Sequence, residues 1–141
     1  MKKLPIIKSF FSVEKKLDYI VDTGIRNMLL ELSAPDLGHQ LENIVYLELL
    51  RRGHRISIGK IAEIEVDFVS NGSIINENDF HTAYYQVAAS VMDPDTLKRE
   101  LDSLKKIKDN HLKYLLTLDR IPSKANHDGI IQYNLIDWLL N

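Results

Sequence analysis

The chain has 141 residues, 45% of them hydrophobic and 27% charged, with 18 Lys and Arg against 20 Asp and Glu for a formal charge of −2. That length suits one domain, which buries about two thirds of the surface its unfolded chain would expose. The lack of cysteine excludes disulfides, zinc–thiolate sites and Cys nucleophiles, the near-neutral charge argues against a uniformly basic nucleic-acid coat, and no apolar run nears the ~20 residues that cross a bilayer. A reducing compartment, the cytoplasm, is the expectation, with no membrane partner and no signal peptide, because Pro5 and Lys8 interrupt the apolar start.

In chain order, residues 16–21 have strand character, Asp22, Thr23 and Gly24 supply a turn, and residues 25–30 read as a short helix. Pro35 breaks the chain, and Asp36 is placed to cap a helix that runs to about Arg52 and stops at Gly53. Its Leu37, Leu41, Ile44, Val45 and Leu49 form one broad stripe and Leu47 and Leu50 lie elsewhere, so this helix is expected to be covered on more than one face. Three strand segments follow at residues 55–58, 63–69 and 83–89, with Asn71-Gly72 as the turn signal between the last two and residues 73–80 as a loop or hairpin tip. Alternation in the middle strand sets Ile64, Val66 and Phe68 on one face and Glu63, Glu65 and Asp67 on the other. In the third strand Tyr84 shares the face of Gln86, which leaves Tyr85 to packing on the opposite side.

Asp93 and Pro94 start a second long helix, whose Leu97, Leu101, Leu104 and Ile107 recur at amphipathic spacing to about Lys108. A strand over residues 113–118, a loop over 119–128, a strand over 129–133 and a last helix capped by Asn134 and carrying Trp138 complete the chain. Periodicity by itself predicts a mixed α/β domain. The reading divides the chain into an amino-terminal extension, residues 1–33, and a domain, residues 34–141.

Several spaced segments point further: Tyr19-Ile-Val-Asp22-Thr-Gly24-Ile-Arg26-Asn27, Gly38-His-Gln-Leu-Glu42-Asn43, Glu65-Val-Asp67-Phe68-Val69, Tyr85-Gln86-Val87-Ala88, Arg99-Glu100-Leu101 and Thr117-Leu-Asp119. In order and spacing they closely resemble the carboxy-terminal domain of a family of prokaryotic AAA-type ATPases, a domain without assigned activity that is regarded as PD-(D/E)XK nuclease-like. The resemblance runs from about Lys15 to the last residue. It implies a restriction-endonuclease-like core of helix, three strands, helix and strand, with an extra strand and helix at each end, and an ATPase module in cis as partner. The sequence holds no Gly-x4-Gly-Lys-Ser/Thr phosphate loop, so the expectation is an excised fragment or a stand-alone remnant.

Carried over by position, Glu42 is the helix carboxylate, Asp67 the metal-bridging aspartate and Gln86 the polar residue two before the family's lysine, with Glu65 an additional ligand. Hard Mg²⁺ or Mn²⁺ takes such oxygen donors and activates water at a phosphodiester. The lysine position, however, is Ala88. Loss of one transition-state stabiliser costs roughly 10²–10³ in rate. With a neutral Gln86 as well, the resemblance implies a degenerate, non-catalytic accessory domain that serves in docking or regulation. The alternative is a metal-dependent DNA or RNA phosphodiesterase in which Arg99 replaces the lysine, and a second alternative is nucleic-acid binding without cleavage through Lys98, Arg99, Lys105 and Lys106.

Plainer roles stand beside these. Glu48, in the apolar stripe, is expected to pair with Arg51 or Arg52, and the basic side of the second helix can be a solvated face. The five histidines show no metal-ligand pair and the serines no nucleophile motif. A homodimer through the sheet edges or the chain end near Trp138 is a further expectation.

Overall fold

A computed structural model describes residues 37–61, 63–74, 78, 80–121 and 124–141. The expected strand at 16–21, the helix at 25–30, the Asp36 cap and the boundary near residue 33 lie outside them. Helix α1, Leu37–Arg51, buries Leu41, Val45, Tyr46 and Leu49, one face of a 3.6-residue period. It stops where Gly53 takes a φ of 80° and its N–H bonds the Leu50 carbonyl at 2.9 Å, a left-handed conformation that glycine adopts without steric cost.

Strands β1, His54–Ile61, β2, Ile64–Ser73, and β3, Thr82–Ala88, form an antiparallel meander. Helix α2, Pro94–Lys105, then crosses over so that β4, Leu112–Thr117, lies parallel to β3. Strand β6, Ile130–Asn134, is parallel to β4, and the short β5, Ala125–His127, closes the edge antiparallel to β6. The sheet order is β1-β2-β3-β4-β6-β5. Helix α3, Leu135–Leu140, ends the chain. The fold is therefore α/β, with one six-stranded mixed sheet between helices.

Two apolar layers hold it. On one face α1 and α3 pack on Phe68, Ala83, Tyr85, Val87 and Leu116, where Tyr85 stacks on Tyr114 with ring centroids 5.3 Å apart and meets Trp138 edge-on at 6.1 Å. On the other, α2 packs Leu101 and Leu104 on Val66, Val69, Tyr84, Leu115 and Ile130. Tyr84 thus faces α2 and Tyr85 fills the opposite core, as the alternation of β3 requires.

The helix starts follow their capping residues. The Asp93 carboxylate accepts from the Thr96 N–H and hydroxyl at 2.8 Å each, ahead of Pro94, and Asn134 Oδ1 accepts from the N–H groups of Ile136 and Asp137 at 2.9 and 3.2 Å.

Three expectations need correction. Asn71-Gly72 is not the hairpin turn, because β2 runs on to Ser73, Asn71 pairs with Thr82, and the connection to β3 lies beyond residue 73. Gly72 instead takes a φ of 71° where the β1–β2 register shifts, a bulge that needs a left-handed residue. The loop over 119–128 contains β5, and its real turn signal is Asp128-Gly129, both at positive φ, 54° and 93°, which is the two-residue hairpin geometry that favours Asp-Gly.

The third correction concerns β2. Ile64 and Val66 pack towards α2, but Phe68 packs towards α1, with its ring 6.0 Å from that of Tyr46. Ile58 pairs with Phe68 and Gly59 with Val66, so Asp67 is one residue too many for its partner strand. This bulge inverts the strand's phase, and the carboxylates of Glu63, Glu65 and Asp67 do not share one regular face.

Glu48 pairs with both arginines. Arg51 Nε and Nη2 and Arg52 Nε each donate to it at 2.7 Å. Arg52 Nη2 donates also to the Trp138 carbonyl at 2.7 Å, with its guanidinium 4.3 Å from the indole centroid. The hydrogen bonds from Arg51, joined by that from Arg52, hold the Glu48 carboxyl down at about 2, against an ordinary 4.5. A depressed carboxyl stabilises the fold above its unfolded pKa, and that contribution fades as pH falls from about 4.5 towards 2. Arg52→Ala should cost about 2 kcal/mol and lower the melting temperature by roughly 5–10 °C, with a red shift of Trp138 fluorescence. Arg51→Ala, at a side chain 70% exposed, should lower the melting temperature by less than Arg52→Ala does in the same melts.

Candidate functional site

The ladder between β2 and β3 ends at the Phe68–Tyr85 pair. One residue further on, the Asp67 carboxylate takes the place of a ladder carbonyl and accepts the Val87 N–H at 2.7 Å. The bulge makes this reach feasible, because a regular strand would send residue 67 straight out from the sheet. Asp67 is half-buried in a setting that raises its carboxyl from an ordinary 3.8 to about 7. Burial is the largest cause and the charge of Glu42 the next, with the Val87 N–H opposing them and Glu100 adding to them.

Helix α1 thus brings Glu42 within electrostatic range of Asp67. The Glu42 carboxylate is 3.5 Å from His39 Nδ1 one turn earlier. From the other layer α2 supplies Glu100, whose Oε2 accepts from Gln86 Nε2 at 2.9 Å. The other oxygen of Glu100 accepts from Arg99 Nη2 at 3.0 Å and Nε at 3.3 Å. Gln86 Oε1 is buried and has no hydrogen-bond partner among the described residues. Ala88, next on that face, packs against the α2-side core and pairs in register with Thr117.

Of the residues predicted for the site, the fold gathers Glu42, Asp67 and Gln86. Glu65 is exposed on β2, and the charges that raise the Asp67 carboxyl are those of Glu42 and Glu100. Arg99 stays at the rim, 73% exposed, with its guanidinium on Glu100. Among the described residues no three His, Asp or Glu side chains could hold one metal ion. The resemblance implies Glu42, Glu65 and Asp67 as donors for Mg²⁺ or Mn²⁺; of these, Glu42 acts on Asp67 and Glu65 is exposed.

The predicted phosphate-binding cations are mostly engaged with acids. Lys98 lies 3.7 Å from Asp102, Arg99 3.0 Å from Glu100 and Lys105 3.2 Å from Asp128, while Lys106 is the exposed C-cap residue of α2. The outer face of α2 carries Asp95, Lys98, Arg99, Asp102 and Lys106 together around a shallow depression, so its signs are mixed.

Glu100 is the site residue that the sequence reading left out. Its signal was present: three residues after Leu97 and four before Leu104, it sits within the apolar stripe of α2, where a carboxylate must find a buried partner. The far end of the same sheet face holds a second polar group. There the Tyr84 hydroxyl donates to Asp109 at 2.6 Å and Lys113 Nζ donates to Asp109 and to the His111 carbonyl. Burial, then Asp109, pushes the Tyr84 hydroxyl up to about 12. These bonds pin the α2–β4 connection at the end of β3 away from Asp67.

No family model matches the sequence, and no solved structure matches it. An uncharacterized protein of Haemophilus influenzae is 35% identical over 122 residues, which cover 86% of this chain and 28% of that relative. The chain thus spans a little over a quarter of the length of the protein it resembles.

The sign of the Asp67 shift yields a test. A raised carboxyl binds its proton more tightly in the folded state, so stability is highest below the unfolded pKa and is lost as pH rises from about 3.8 to about 7. Asp67→Asn keeps an oxygen for the Val87 N–H and removes the charge. It should stabilise the domain by about 1–3 kcal/mol at pH 8, an advantage that shrinks towards pH 5 in thermal melts. An advantage equal at both pH values would mean that Asp67 does not titrate in this range.

Proposed function

We propose that this chain is a PD-(D/E)XK nuclease-like domain that does not cleave, and that it serves as a docking or regulatory module beside an AAA-type ATPase. The element order supports this reading: α1, the β1–β2–β3 meander, the α2 crossover and a parallel β4 follow the order expected of a restriction-endonuclease-like core, with β5, β6 and α3 added. The splayed end of β2 and β3, with Asp67 facing Glu42, is where such a core carries its site.

The observation that carries the non-catalytic reading is the pairing of Gln86 with Glu100 beside Ala88. A side chain in metal-ligand position is tied to a helix carboxylate, and the place of the lysine holds a methyl group in the apolar layer. The cation expected to balance a phosphorane, the charge that a phosphodiesterase must neutralise, is Arg99, and Glu100 already holds it at the rim. The ATPase association is supported by the sequence resemblance and by a relative long enough to hold further modules.

The test is incubation of plasmid, single-stranded DNA and RNA with the purified chain and Mn²⁺ or Mg²⁺, beside Asp67→Asn, together with calorimetric titration of Mn²⁺. The expected result is no cleavage and no heat that depends on Asp67. Cleavage lost in Asp67→Asn would overturn the proposal in favour of a divalent-metal phosphodiesterase acting through Glu42, Asp67 and Gln86. In a companion assay the chain should not be retained on DNA, because Lys98, Arg99 and Lys105 already face acids; salt-sensitive retention would favour nucleic-acid binding without cleavage.

A further inference from the structure

We draw no further inference here: the strongest candidate, the cluster of Glu42, Asp67 and Glu100 carboxylates round the Gln86 amide where β2 parts from β3, belongs to the site already described.

Discussion

The bond from the Val87 amide to the Asp67 carboxylate sits where two requirements of the sheet meet. Strand β2 must give Val66 to the α2 layer and Phe68 to the α1 layer, which two residues of a regular strand cannot do. The extra residue that solves this is Asp67, and it leaves the next amide of β3 without a strand carbonyl. A side-chain oxygen satisfies that amide, as buried backbone donors require. The change of β2 from one apolar layer to the other and the parting of β2 from β3 both follow from one inserted residue.

That solution has an electrostatic consequence. Placing a carboxylate on a sheet amide fixes it close to the helices on both faces, and each presents an acid there, Glu42 from α1 and Glu100 from α2. One backbone N–H offsets only part of the desolvation and like-charge repulsion. The cluster is therefore a place where the fold stores cost rather than gains stability, as perturbed carboxyls at functional sites commonly do. Glu100 also holds the Gln86 amide, which ties this end of β3 to α2, while Ala88 packs against the apolar layer under that helix.

Elsewhere charge is arranged to stabilise. Glu48 lies between Arg51 and Arg52, and Arg52 extends the network to the carbonyl and ring of Trp138, so the short last helix is tied to the first by a charge-assisted bond as well as by apolar contact. The Tyr84–Asp109–Lys113 group does similar work under α2. The contrast with the Asp67 cluster is one of sign: in both networks each carboxylate meets a cation, and at Asp67 it meets other carboxylates.

Local signals determined much of this protein. The Asp93-Pro94 and Asn134 caps, the Gly53 stop, the amphipathic stripe of α2 and the order of helices and strands were legible because each depends on residues a few positions apart. The pairing of Glu48 with its arginines and the division of labour between Tyr84 and Tyr85 were legible for the same reason. Asp128-Gly129 was legible too, though it went unread. What only tertiary structure decided was the phase of β2, the run of that strand through Asn71-Gly72, and which acids gather round Asp67. A bulge is set by pairing with β1, and whether Glu65 or Glu100 joins Asp67 depends on how strand and helix pack across the sheet. Those relations join residues far apart in the chain, and no periodicity within one segment encodes them.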